Sequence, residues 1–314
     1  MPKRTFIIDT DTASDDAVAL VMALNHPDVE VVAITVVAGN VPLPQALQNA
    51  LYTVELCGAA GRVPVYAGCD RPLRVPLRTA EFVHGQDGMG DIGLPVRGRQ
   101  PAPGDAVQVL VDEINRRPEG SVTLVTLGPL TNVARALQRD PGIATRLAEI
   151  VTMGGTADAV GNITAAAEFN IWVDPEAAKI VFEAGATLTM VGWDISRKYA
   201  VMDAEAADTL RALGPLGEFS TGIQAHLTEF VRAETHLAGF DLPDPIAMAV
   251  ALDRSIATRI EKLHVRVETT GDITAGQTVV DHLGVEHGVP NVNVVLEASR
   301  ERFIELLHRT HRGR

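Results

Sequence analysis

Cysteine is nearly absent from this 314-residue chain. Cys57 and Cys69 are the only two, too few for a disulfide framework or a cysteine metal cluster, and they read as reduced, incidental thiols. Long apolar runs are missing too. The longest, Ala17 to Leu24 and Val31 to Ala38, fall far short of the roughly 20 residues that span a bilayer, so no membrane partner is expected. Near the start, Lys3 and Arg4 precede only Phe6-Ile7-Ile8 before Asp9. That is too short for a signal-peptide core, and the chain is expected to be cytoplasmic. Positive charge is scarce: 27 Lys and Arg face 40 Asp and Glu, a net charge of −13, which repels phosphate backbones and argues against nucleic acid as a partner. No Walker A sequence, HExxH pair or zinc-type Cys/His spacing occurs. Gly88 to Gly93 spells GxGxxG, yet it follows no strand and runs into Leu94-Pro95, so it reads as loop. ATP, zinc and nicotinamide chemistry therefore lack a motif.

What is present is an ordinary globular composition, 46% hydrophobic, enough for a large core. Length alone allows two domains of roughly 150 residues, but no Pro/Ser-rich linker or internal repeat divides the chain, and a single domain over 1–314 is expected. Short β-branched runs alternate with amphipathic stretches, the pattern of βαβ units: an α/β, doubly wound, mostly parallel sheet flanked by helices. Strands are predicted at 5–9, 30–37, 63–66, 121–127, 149–153 and 187–191, with helices at 15–25, 44–57, 105–116, 130–138 and 175–183. The last third predicts one long helix over 217–238 and another over 245–252, strands near 259–267 and 292–296, and a final helix after Ser299. The stretch 68–104 has no clear periodicity and reads as a long loop placed to cover a site.

Polar residues recur where strands end: Asp9 and Asp11, Asn40, the turn after Leu127, and Gly154-Gly155. In parallel sheets ligands bind at those carboxyl ends. The segment FIIDTDTASDD puts four carboxylates, Asp9, Asp11, Asp15 and Asp16, within eight residues. Singly each reads as a cap or a solvated charge; together they repel one another unless a hard cation intervenes, and calcium, with six to eight oxygen ligands, suits such a set. Adjacent helix residues point about 100° apart, so Asp15 and Asp16 divide the work, one toward metal and one toward substrate. An EF-hand loop starting at Asp9 fails, because Ser14 and Leu20 occupy the positions that need Gly and Glu. A strand ending in DxD also resembles the haloacid-dehalogenase-type phosphatases. That reading makes Asp9 the nucleophile of a magnesium-dependent phosphohydrolase, but only four lysines are available to balance a phosphate.

Together with VVAGN ending at Asn40, TLGPLTN over 126–132, MGG followed by GNITAAAEFNIWVDPEAA over 161–178, and Asp244-Pro245, the segment DTDTASDD resembles the fingerprint of the nucleoside hydrolases, inosine-uridine preferring nucleoside N-ribohydrolases. The motifs occur in family order across 9–245. The resemblance implies Ca²⁺-dependent hydrolysis of the N-glycosidic bond of a ribonucleoside to ribose and free base, a step in nucleoside salvage or catabolism, by a homodimer or homotetramer. It implies that Asp11, Asp16, Asp244 and the carbonyl of Leu127 ligate the metal, and that Asp11 also activates the attacking water. Asp15, Asn40 and Asn170 correspond to contacts with the ribose 2′- and 3′-hydroxyls, and Asn162 and Glu168 to contacts with the 5′-hydroxyl. Asparagine suits a sugar hydroxyl because it both donates and accepts. The oxocarbenium-like transition state of such a cleavage needs a carboxylate that activates water opposite the leaving group, by analogy with inverting glycosidases.

One family feature is missing. Where many members carry a His before the metal-binding Asp, this chain has Pro243, which donates no proton. His84, in VHGQDGMG, is the first candidate to assist the departing base. His226 and His236 are alternatives, and Asp241 and Trp193 are weaker candidates for base contact. Loss of base protonation also makes a non-catalytic ribose- or nucleoside-binding protein thinkable.

Overall fold

In the computed structural model, which describes residues 3–234 and 238–312, eleven strands are formed: β1 Arg4–Thr10, β2 Val29–Val36, β3 Val65–Ala67, β4 Val122–Thr126, β5 Glu149–Met153, β6 Leu188–Val191, β7 Val201–Met202, β8 Phe240–Asp241, β9 Ala257–Val267, β10 Thr278–Asp281 and β11 Val292–Ala298. Nine of them make one sheet in the order β10-β9-β11-β6-β5-β4-β1-β2-β3. From β3 to β11 the strands run parallel; β9 and β10 add an antiparallel edge. The chain winds outward from β1 through β2 and β3, then from β4 in the opposite direction. The switch point, where ligand crevices form in such sheets, is therefore the gap between β1 and β4.

Alternation along β1 distributes its side chains to both faces. Phe6 and Ile8 join the core beneath the helices Ser14–Asn25, Leu43–Leu56, Pro243–Leu252 and Arg300–His311. Ile7 joins the opposite core, under the helices Ala106–Arg116, Thr131–Arg139 and Pro175–Phe182. Helices covering both faces account for strands that are apolar at nearly every position. The helix Pro243–Leu252 is almost entirely buried and lies beside Ser14–Asn25. The segments PDPIAMAVAL and SDDAVALVMAL accordingly lack the polar stripe of a surface helix.

Two predicted elements differ. The long helix over 217–238 is two helices, Pro215–Gly222 and Ala225–Glu234, broken by a turn in which the Gln224 N–H bonds to Thr221 O. Gly222 has little helix propensity at the break, and the Gln224 side chain is buried there, donating to Ser14 O at 3.1 Å. His236 lies outside the described residues. The stretch 68–104 is mostly irregular but contains a short helix, Glu81–His84, too brief for periodicity to reveal. Also unpredicted are the short strands β7, β8 and β10 and the short helices Ile143–Arg146, Phe169–Val173, Trp193–Tyr199 and Ala204–Arg211. Both cysteines are free thiols, as expected, and no described helix is long and apolar enough to cross a membrane.

Outside the cavity wall, Phe303 is fully buried in the core that the last helix shares with the helices Ser14–Asn25 and Pro243–Leu252. Phe303→Ala is expected to lower unfolding stability by about 3–5 kcal/mol, measured by denaturant titration, while leaving metal-induced stabilisation of the folded protein intact.

Candidate active site

Two helix beginnings and the end of β1 meet at the switch point. Ser14–Asn25 carries Asp15 and Asp16 in its first turn, and Pro243–Leu252 carries Asp244 in its first turn. Because the helices lie side by side, oxygens of Asp15, Asp16 and Asp244 come within 4.8 Å of one another. Asp11, just past β1, is wholly buried; its Oδ2 accepts the Asn40 N–H at 2.6 Å. The Asn40 amide reaches Asp16 Oδ2 at 3.3 Å, and Thr10 and the Ala13 N–H also donate to Asp16. Asp16 is held by its own helix start and Asp15 lines the cavity described below, yet oxygens of both share one cluster with Asp244, so the expected division between metal and substrate does not separate them here, and Asp11 lies outside that cluster. Space around Asp11 is tight. A Cβ on Gly39 would lie 2.1 Å from its Oδ2, and one on Gly128 would lie 2.5 Å from its Oδ1.

Burial dominates the electrostatics. Removal from water, reinforced by neighbouring carboxylates, raises Asp11 and Asp244 well above the ordinary carboxylate range and pushes Asp15 and Asp16 up to about 6. Helix N-termini favour negative charge, but that contribution is smaller than the desolvation cost. Oδ1 of Asp11 and Oδ1 of Asp15 are buried with no hydrogen-bond partner, and among the described residues no Lys or Arg pairs with any of the four. Orphaned acceptors around a shared focus, all of them oxygen, fit a hard divalent cation.

A cavity of about 480 Å³ opens over this cluster. Asp15, Asn40, His84, Leu127, Asn162, Glu168, Asn170 and Asp244 all line it, while Asp11 and Asp16 are joined to it through Asn40. Nearly every residue singled out in the sequence is thus brought together. Asn170 sits within the helix Phe169–Val173 rather than capping it, and its amide donates to Leu127 O at 2.8 Å. That carbonyl keeps a second lone pair. Glu168 caps the same helix: its two oxygens accept the N–H groups of Asn170, Ile171 and Gly155. Burial nevertheless lifts its carboxyl to about 7. Asn162 Oδ1 accepts the Phe169 N–H, folding the 161–168 loop back on itself.

Asp9 does not take the place a phosphatase nucleophile would need. Its Oδ2 accepts from both Thr35 and Asn132, and although its Oδ1, like that of Asp11, has no partner, it lies away from the cluster formed by Asp15, Asp16 and Asp244. No Lys or Arg lines the cavity to receive a phosphate.

The short helix Glu81–His84 brings His84 into the cavity, and burial holds its imidazole near a pKa of about 4, neutral at pH 7. His226 is turned to Val83 O. Asp241 and Trp193, weakly marked in the sequence, both line the cavity, bonded to each other at 3.0 Å. Sequence reasoning missed the apolar cover: Phe82, against Phe230 at 5.9 Å between ring centroids, with Leu227 and Val231 beside it. The only signal was the apolar spacing at 227, 230 and 231.

A family model described as inosine-uridine preferring nucleoside hydrolase matches residues 6–305. The chain is 40% identical over 303 residues, 96% of each chain, to a protein of Salmonella enteritidis named pyrimidine-specific ribonucleoside hydrolase RihA. Its structure is similar to that of a plant nucleoside hydrolase, PpNRh1, with a TM-score of 0.93, 34% identity and complete coverage of both chains. It is also similar to a purine-preferring ribonucleoside hydrolase from Gardnerella vaginalis, with a TM-score of 0.90, 30% identity and coverage of 99% and 98%.

Protons and a divalent cation compete for the same carboxylates. The folded protein holds protons on Asp15 and Asp16 up to about pH 6, so acidification from about pH 7.5 to about 5.5 weakens cation binding. His84, held near 4 by burial, stays neutral across that range and does not contribute. The rise in Tm caused by millimolar divalent cation, on the order of 5 °C at neutral pH, is therefore expected to shrink in acid. Differential scanning fluorimetry with and without chelator measures it. In Asp244→Ala the rise is expected to vanish at both pH values.

Proposed function

Because the chain belongs to the inosine-uridine preferring nucleoside hydrolase family and is a ribonucleoside N-ribohydrolase, we propose that it works with calcium, with roles divided among the residues converging at the β1/β4 switch point. The observation that carries this reading is the meeting of the buried carboxylates with an asparagine-lined cavity. A Ca²⁺ ion held by Asp11, Asp16, Asp244 and the carbonyl of Leu127, hard oxygen donors throughout, would supply a positive focus that orients the attacking water and the vicinal diol.

The chain's own groups then perform the reaction. Asp15 offers its unpartnered Oδ1 to one ribose hydroxyl, and the amides of Asn40 and Asn170 serve the 2′- and 3′-hydroxyls. Asn162 and Glu168 bracket the 5′-hydroxyl, Glu168 fixed in place by the backbone N–H groups it already accepts. Asp11 Oδ1, which accepts no hydrogen bond from the protein, takes the proton of the attacking water. The water oxygen bonds to C1′ as the C1′–N bond breaks, and the electron pair leaves with the base. His84 stands where Pro243 gives no help, presenting a neutral imidazole to that base. Phe82 and Phe230 give the cavity an apolar wall, beside which polar contacts are stronger than in open water.

Ribose release from a panel of purine and pyrimidine ribonucleosides tests the reading. The calcium-loaded protein is expected to turn over at least one of them and to lose turnover with chelator; a loaded protein that releases no ribose refutes it. Asp11→Asn is expected to lower kcat by about 10²- to 10⁴-fold, the range for loss of a general base, with KM changed far less.

A further inference from the structure

The polar neighbour of His84 is a residue that neither the family match nor the roles above assign. Ser14, the first residue of the helix Ser14–Asn25, is fully buried, and its Oγ lies 2.8 Å from His84 Nδ1. Its backbone is pinned as well, since Ser14 O accepts from the buried Gln224 side chain. Resting on the reading of His84 as the partner of the leaving base, we infer that Ser14 is a positioning residue: its hydroxyl donates to His84 Nδ1 and so fixes the tautomer that aims Nε2–H into the cavity.

Proton accounting supports that direction. A neutral imidazole has one N–H and one acceptor nitrogen. If Nδ1 carried the proton and donated to Ser14 Oγ, the serine hydroxyl would need another acceptor. Among the described residues His84 Nδ1 is the one hydrogen-bond partner of Oγ, and a buried hydroxyl without an acceptor is costly. Asp15 Oδ1 stands 4.0 Å from Nδ1, beyond hydrogen-bond range, and does not compete. With Nδ1 occupied as an acceptor, the ring's proton resides on Nε2, for which the described residues provide no partner. A side chain that touches only the far nitrogen of the imidazole thus decides whether the near one donates to the base or faces it with a lone pair.

The test uses the calcium-loaded enzyme, with a ribonucleoside that it hydrolyses and with p-nitrophenyl β-ribofuranoside, whose leaving group needs little assistance. Ser14→Ala is expected to lower kcat on the nucleoside by roughly three- to tenfold, the value of one hydrogen bond. KM should change less than kcat, the loss on the aryl riboside should be smaller, and Ser14→Thr should restore most of the rate. In the wild-type protein ¹⁵N NMR of the His84 ring is expected to report the Nε2–H tautomer, with the Nδ1–H form gaining population in Ser14→Ala. A wild-type ring protonated on Nδ1, or equal losses on both substrates in Ser14→Ala, overturns the inference. His84→Ala separates the two levels. If it leaves the ratio of nucleoside to aryl-riboside rates unchanged, the reading of His84 itself fails; if it shifts the ratio while Ser14→Ala does not, only the role of Ser14 fails.

Discussion

Everything at the strand ends follows from one packing decision: the helices Ser14–Asn25 and Pro243–Leu252 lie side by side, both buried, with their first turns at the same level. Each first turn carries acid, so the apolar contact that joins the helices also forces like charges together away from water. The fold tolerates this arrangement because the carboxylates titrate upward and because a cation can neutralise them. The apolar surfaces of the two helices supply the stabilisation that the acid cluster opposes. Function is placed where the core is strong enough to bear a local penalty, a pattern common to ligand sites.

The sheet order matters for the same reason. Chain reversal between β1 and β4 leaves a crevice with no crossing connection, and into it project Asp11 from the end of β1, Asn40 beyond β2 and the carbonyl of Leu127 beyond β4. The three come from segments widely separated in sequence yet adjacent in the sheet. Asn170 ties this group to the 161–170 loop by bonding the Leu127 carbonyl, so ribose-facing groups and carboxylates are parts of one hydrogen-bonded unit.

Most of this was legible before the structure. Strand runs such as Phe6-Ile7-Ile8 are apolar at successive positions, the mark of a sheet covered on both faces, and Asp11, Asp15, Asp16, Asn40, Asn170 and Asp244 stood out because polar groups at strand ends and helix starts have few structural uses in such number. What escaped was set by tertiary context. Helix Glu81–His84 is a single turn with no period to detect. The break near Gln224 depends on a side chain reaching Ser14, 210 residues away. The aromatic cover of Phe82 and Phe230 exists only because two remote helices meet. Glu168 was expected to face substrate, and local sequence gave no sign that it also caps its own helix and anchors Gly155.

The narrow slot between Gly39 and Gly128 carries a final consequence. Asp11 is flanked closely by backbone at both glycines, and one of its oxygens is already bonded to the Asn40 N–H. Its conformational entropy was surrendered when the chain folded, so a nucleophile arriving there meets a carboxylate that has no ordering left to do. At two positions a missing side chain, rather than any added group, is what makes this acid ready before its substrate comes.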